Sequence, residues 1–404
     1  MATGVYFSAG GATKKVSKIY FGAAGVAKKV KKGYIGGSDG KAKLFFSGGP
    51  ESATLSKKTT LTLATARFSF GATSIGNYVL IAGGGTAANT NTNTVETFNK
   101  SLTRGTATAL TFSPRDPAAV SNGTYAIITG GVNGSGYFNN TTLCNAGVAY
   151  NSSLTQTVLT SSQYVTGPGT STTTFNNTAL IFGGFYAYDD DSYDSKALYK
   201  INTKLTCTNQ VLTMSGAYSA AASISNYAIF AGGGIPNISS FAGKGGSTSG
   251  YALNSSFTSK SITLSIGRLW HTGGSVNNYA LFAGGYYYDK TEKEVCGTDT
   301  VDVFNTSLSR SSATVLPYTT TSGDLAASVY GHHIISNSGR IVAYNYSLTQ
   351  TTHSSITSST EPQSCTAVLG NYAFIHAGGD DKYVKPDGRP NNYTSNKIEV
   401  YLSE

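Results

Sequence analysis

The chain has 404 residues, only 12% of them charged, with 48 glycines and 27 tyrosines. Helix formers are scarce, and no run approaches the roughly 20 apolar residues of a membrane span, so a helical bundle and a membrane-spanning helix are both excluded. The net charge of +9 belongs to one end: residues 1–46 hold nine lysines against Asp39 alone, giving +8, and the remainder is +1.

That basic arm is a short repeat. Val5-Tyr6-Phe7 leads to Lys14-Lys15-Val16, Ile19-Tyr20-Phe21-Gly22 to Lys28-Lys29-Val30, and Tyr34-Ile35-Gly36 to Lys41-Ala42-Lys43-Leu44-Phe45. Each unit reads as two short strands around a Gly-rich turn, a hairpin. A lone hairpin is marginal in water, so the three are expected to pack on each other or on another surface. The order Tyr-aromatic-Gly, then Gly-x-Ala-Lys-Lys-Val, resembles the N-terminal segment of minor structural and tail proteins of bacteriophages that infect Gram-positive bacteria. The resemblance covers about 45 residues and implies that residues 1–49 attach the chain to another virion protein. Lys14, Lys15, Lys28, Lys29, Lys31 and Lys32 are the attachment candidates. Clustered lysine also binds phosphate, but no arginine pairing or base-stacking pattern accompanies it, so nucleic acid is not an expected partner. The N-terminus carries no apolar signal core, which with the resemblance implies synthesis in the bacterial host cytoplasm and a final place in the virion tail. Cys144, Cys207, Cys296 and Cys365 show no CxxC pairing and are expected to be free thiols.

Ser47-Gly48-Gly49-Pro50 reads as a linker, and beyond it the chain copies itself. NYVLIAGG (77–84), TYAIITGG (124–131), NTALIFGG (177–184), NYAIFAGG (226–233), NYALFAGG (278–285) and NYAFIHAGG (371–379) each join a turn residue, an apolar run and a glycine pair. GHHIISNS (331–338) is a degenerate copy without the glycines. A strand of this kind about every 50 residues is the mark of a propeller blade. Each full repeat adds a third strand ending in Asn, such as Val95-Glu96-Thr97-Phe98-Asn99, and a fourth after a Ser-Leu turn. The last repeat stops at Glu404 without its fourth strand, while residues 52–63 (SATLSKKTTLTL) form a spare one. The expected fold is therefore all-β: residues 50–404 form a seven-bladed propeller closed by its N-terminal strand.

Numbering the strands of a blade a to d from the axis outward, the glycine pair after strand b and the aromatic of strand c resemble the Kelch repeat. Two departures stand out. Kelch repeats usually carry Trp in the fourth strand, whereas the sole Trp here, Trp270, falls in a first strand, and Asn replaces the Asp after the strand-c aromatic.

The a–b and c–d turns are uniform, but the b–c loops differ in every blade except the sixth, where the loop is tight. They read 85–94, 132–146, 185–196, 234–249, 286–300 and 380–397, rich in Tyr, Ser, Gly, Asn and Asp. Uniform scaffold with variable loops at one end suits a binding module, and Tyr with small polar residues suits an adaptable contact surface. The candidate contacts are Tyr137, Phe138, Tyr186, Tyr188, Asp190, Tyr286, Tyr287, Tyr288, Tyr383 and Tyr393, with a third to a half of the tyrosines expected to pack down on the blades. Asp189, Asp190 and Asp191 could hold calcium through oxygen, although their spacing is not that of an EF-hand and a solvated acidic loop is favoured. The five histidines share no metal-binding spacing, His332, His333 and His376 read as core, and Arg67, Arg115 and Arg268 precede first strands as structural residues. No phosphate-binding, nucleophile or dinucleotide motif appears, so no catalytic residue and no cofactor are assigned. The expectation is a phage tail component, free to form a homo-oligomer, whose b–c loops contact a host-surface glycan or protein. Its rivals are a propeller glycosidase or oxidase acting on surface polysaccharide, and a cellular Kelch-like interaction module.

Overall fold

The computed structural model describes residues 6–9, 12–15, 20–23, 26–29, 32–36, 42–47, 53–86, 90–133, 142–159, 166–188, 191–234, 246–289, 291–292, 294–319, 325–337, 339–355, 365–376 and 395–404, none of them helical. The chain divides into two compact units, Met1–Ala53 and Thr54–Glu404. In the first, three antiparallel hairpins follow one another: Tyr6–Ala9 with Ala12–Lys15, Tyr20–Ala23 with Val26–Lys29, and Lys32–Gly36 with Ala42–Ser47. The first two share a register, Tyr6 facing Lys15 and Tyr20 facing Lys29. The third has a bulge at Gly33/Tyr34.

The second unit is a seven-bladed β-propeller. Its seven inner strands are Gly71–Ile75, Ala118–Ser121, Thr170–Phe175, Ala220–Ile224, Thr272–Val276, Leu325–Val329 and Thr366–Leu369. Each packs on the next, and the last packs on the first. Small side chains let them crowd the axis. Hydroxyls then bridge neighbouring blades there, as in Ser171–Ser219 and Thr173–Ser223, both 2.7 Å.

The second strands are largely apolar because both of their faces are covered by neighbouring blades, and the histidines that enter them in blades 6 and 7, His332, His333 and His376, are buried as well. Ala280, Leu281, Phe282 and Ala283 are all 0% exposed. The described residues contain no single core but seven buried clusters, one per blade interface. Between blades 4 and 5, for example, Ile229, Ala231 and Ala252 meet Ala280, Phe282 and Phe304.

The turns between third and fourth strands show why Asn recurs. Asn99 Oδ1 accepts the Ser101 and Thr103 N–H groups at 2.9 and 3.0 Å, and Leu102 takes a left-handed φ of 61°. Asn151, Asn202, Asn305 and Asn345 do the same, with Leu154, Leu205, Leu308 and Leu348 left-handed. A sixth copy, Asn254 with Phe257, had no Leu to mark it in the sequence. A left-handed conformation is unfavourable for a residue with a bulky side chain. Here the Asn bonds hold it, and the reward is burial: each of these side chains plugs the interface with the preceding blade, as Leu308 does between blades 4 and 5.

Blade 7 has no such turn, since its outer strand comes from the other end of the unit. Leu55–Phe68 pairs with Ser395–Ser403, and Thr54 and Glu404 exchange backbone hydrogen bonds of 2.7 and 3.1 Å. Leu55 enters the cluster between blades 6 and 7, where the turn leucine of the other blades would lie. The closing strand also runs past the expected 52–63. Beyond an irregularity between Ser395 and Lys397 it continues, and Arg67 and Phe68 pair with Thr86 and Gly85 of blade 1.

The glycine pairs join consecutive blades. Gly83 and Gly84 have φ of 70° and 98°, and a Cβ on Gly84 would lie 2.6 Å from the Phe68 carbonyl oxygen. Gly84 N–H donates to Pro114 O of the next blade at 2.8 Å, and Gly131 and Gly233 donate likewise to Thr166 O and Arg268 O. No side chain fits between backbones that close.

Two predictions follow from the closure. Removing residues 1–53 leaves a cooperative thermal transition, whereas removing 1–64 takes away most of the outer strand of blade 7 and yields aggregation or a broadened, lowered melt. Arg67 is 1% exposed and contacts Glu96 at 2.7 Å, where Glu96 also accepts Ala64 N–H at 2.8 Å. Arg67→Met leaves that carboxylate buried and unpaired and lowers unfolding free energy by about 3–5 kcal/mol in chemical denaturation, with Glu96→Leu in the same chain restoring most of it.

Candidate binding site

The b–c loops and the links entering each inner strand share one end of the propeller, since strands alternate direction across a blade. At that end the loops grow beyond the blades as small hairpins. Val132–Asn133 pairs with Thr142–Leu143, Phe185–Tyr188 with Asp191–Asp194, and Tyr286–Asp289 with Glu294–Gly297. In blade 6, by contrast, Asn337 faces Arg340 directly, the tight connection expected there.

Tyr186 and Tyr188 lie on the blade 3 hairpin, facing Tyr193 and Asp191. Tyr137, Phe138, Asp189, Asp190, Tyr383 and Tyr393 lie outside the described residues, as does Lys31 of the arm. Lys14 and Lys15, Lys28 and Lys29, and Lys32 fall on arm strands. Of the calcium candidates only Asp191 is described, and among the described residues no three His, Cys, Asp or Glu side chains gather as a metal site. In blade 5 the three tyrosines part company. Tyr287 and Tyr288 are partly exposed, facing Cys296 and Val295. Tyr286 is 4% exposed, with its ring 5.0 Å from that of Trp270. It belongs to the tyrosines that pack down.

Sequence reading missed a collar beneath these loops. Ser69, Asp116, Gly169, Tyr218 and Trp270 occupy the same place in blades 1 to 5, just before the inner strand, all with left-handed φ between 51° and 71°. Trp270 is thus two residues ahead of the strand Thr272–Val276 and not within it. Backbone bonds link the collar from blade to blade: Asp116 N–H to Ser69 O at 2.7 Å, Tyr218 N–H to Gly169 O at 2.8 Å, and Trp270 N–H to Tyr218 O at 3.1 Å. The only hint in the sequence was Gly169, in Gly167-Pro168-Gly169; the other four residues carry side chains that disguise the position.

Those side chains converge. The Tyr218 and Trp270 rings meet edge to face at 4.8 Å. Burial raises the Tyr218 phenol further from ionisation, and the neighbouring Asp116 carboxylate and Tyr286 phenol add to it. Burial and the same Asp116 push the Cys365 thiol up to about 12. The charge of Asp116, in blade 2, is thus felt by groups of blades 4 and 7, neither of which adjoins it in the ring. Burial also raises the Asp116 carboxyl, against the pull of the Arg115 guanidinium 3.6 Å away. All four cysteines are free.

The arginines and histidines are scaffold. Arg268 is fully buried, bonded to Asp302 and to Thr300 O at 2.8 Å, a copy of the Arg67–Glu96 arrangement. His332 Nδ1 lies 2.8 Å from Ser403 Oγ, at the end of the blade 7 strand Ser395–Ser403. His376 Nε2 donates to Ser395 O at 3.0 Å, and burial brings His333 and His376 down to about 4.

The class of protein so defined is a seven-bladed β-propeller with one elaborated end. No family model and no curated protein sequence matches the chain. Among solved structures 527 chains match, and a fold assigns no chemistry by itself. One of them, described as the structure of YjhT, is 12% identical with a TM-score of 0.53, covering 72% of this chain and 99% of its own. At that identity the likeness carries the fold alone.

The buried histidines make stability acid-sensitive. His333 and His376 titrate near 4 when folded and near 6.5 when unfolded, so between those values the unfolded chain binds more protons. Stability is complete above pH 6.5 and falls toward pH 4, by about 1.4 kcal/mol per pH unit for each histidine. Denaturation midpoints measured across this range decline, and His376→Gln makes the decline shallower whatever it does to the midpoint at neutral pH.

Proposed function

We propose that the protein is a bacteriophage tail component whose propeller recognises the host surface, with a glycan as the favoured ligand. The observation that carries this reading is the contrast between the two ends of the ring. One end repeats an identical Asn-held turn in six blades, while the other extends hairpins of different sequence from blades 2, 3 and 5. Diversity confined to one end of a rigid scaffold supports recognition there. Tyr287 and Tyr288 offer aromatic surface on which a sugar ring can stack, and several copies on one virion would turn weak contacts into firm attachment. The glycine pairs and strand-c aromatics support a Kelch-type propeller. The virion setting rests on the arm, whose repeated Tyr, Gly and Lys-Lys order resembles phage structural proteins and whose lysines suit an acidic docking partner.

Binding of fluorescently labelled protein to susceptible cells tests the reading. Tyr287→Ala with Tyr288→Ala weakens binding about tenfold or more with little change in melting temperature. Lys204→Ala and Ser307→Ala, on exposed turns of the opposite end, leave it unchanged. Protein lacking residues 1–53 still binds cells but is not incorporated into particles. Loss of binding in the turn variants, with retention in the tyrosine variant, assigns recognition to the wrong end. Equal incorporation of both lengths removes the attachment role of the arm.

A further inference from the structure

The collar has a feature that ring construction does not require. Gly169 shows that glycine fills this left-handed position in blade 3, where it costs nothing. Blades 2, 4 and 5 place Asp116, Tyr218 and Trp270 there instead, each against the preference of its own backbone. Strained residues of this kind persist where the side chain is needed. Two further observations point to what for. Trp270 Nε1 and the Tyr286 hydroxyl are both buried without a hydrogen-bond partner, although Tyr286 is otherwise packed to 4% exposure. Buried donors are nearly always paired, and an unpaired one asks for a missing partner. The site nevertheless remains reachable: Trp270 and Tyr218 are only partly buried, and the Asp116 side chain is 22% exposed.

We propose that Asp116, Tyr218, Trp270 and Tyr286 form a binding site for a neutral pyranose ring, at the axial end of the inner strands and beneath the b–c loops. The indole N–H asks for an acceptor and the phenol hydroxyl for a donor or an acceptor, and sugar hydroxyls serve both. Aromatic rings of two blades supply the apolar surface that a pyranose covers. The carboxyl, 3.6 Å from the Arg115 guanidinium, completes the set with oxygen acceptors for sugar hydroxyls. Three aromatic rings beside a carboxyl also resemble a cage for a quaternary ammonium, but such a cage leaves both unpaired hydrogen-bonding groups unanswered. In ligand class this site rests on the glycan reading above; in position it is separate from Tyr287 and Tyr288.

Trp270 is the only tryptophan of the chain, so its emission reports on this site alone. The full-length protein is titrated with glucose, galactose and N-acetylglucosamine to roughly 100 mM, well above the millimolar constants of weak single-site binders, with choline in parallel. At least one sugar produces a saturable change in emission, and choline produces none. Tyr286→Phe keeps the ring against Trp270 but removes the hydroxyl, and weakens that sugar about tenfold at an unchanged melting temperature. Asp116→Ala weakens it as well. Emission unaffected by all three sugars, a response to choline alone, or undiminished sugar binding by Tyr286→Phe overturns the proposal. Cell binding by the same preparations separates the two readings. A silent titration with intact cell binding removes only the axial site, and a saturable titration without cell binding removes only host recognition.

Discussion

The pairing of Leu55–Phe68 with Ser395–Ser403 is the contact on which the ring depends. A blade of four strands buries its apolar faces only against its two neighbours, so a chain of blades left open would expose two such faces and two unpaired edges. The seven clusters between blades make the same point from inside: each needs residues from two blades, and the one between blades 6 and 7 takes Leu55 from the closing strand. That strand then reaches on to blade 1 through Arg67, whose guanidinium bonds Gly83 O and Glu96. Closure is thus secured twice, by a ladder and by a buried ion pair.

The two ends of the ring are held by different devices. At one, Asn side chains satisfy the backbone of each turn and let a left-handed Leu or Phe plug the interface. The geometry leaves little freedom, and the sequences are accordingly alike. At the other, glycine pairs bring consecutive blades into backbone contact below the loops. Once those bonds are made and the first loop residues, such as Val132 and Tyr286, are packed down, further insertions cost mainly loop entropy, which grows slowly with length. Variable hairpins can therefore accumulate on a scaffold that does not feel them.

Beneath the hairpins the collar links neighbouring blades through its backbone, while the Tyr218 and Trp270 rings of adjoining blades meet edge to face. Glycine would serve the backbone role. Aspartate, tyrosine and tryptophan in its place, with two buried polar atoms unsatisfied beside them, mark a site by what the structure tolerates in order to keep them. A propeller fold is silent on such a point, and the residues of the site have to speak for themselves.

Much of the fold was legible because its signals are local. An apolar run followed by two glycines is a buried strand that must stop, its repetition about every 50 residues sets the blade count, and a missing last strand matched by a spare first one gives the closure. The exposed end was legible too, since turns that recur and loops that vary declare themselves by comparison along one chain. The collar was not. Ser69, Asp116, Tyr218 and Trp270 share no side-chain chemistry; what they share is a backbone angle, and only Gly169 betrays it. Nor could the sequence separate Tyr286 from Tyr287 and Tyr288: three identical residues in a row alternate in direction along a strand, and whether one of them is buried depends on Trp270. The chain alone thus determined a ring of seven blades and the end on which its variety lies, because periodicity and turn chemistry act between near neighbours. Only the tertiary structure decided which side chains meet, because it brings together residues that lie far apart in the sequence, such as Tyr218 with Trp270 and Phe70 with Cys365.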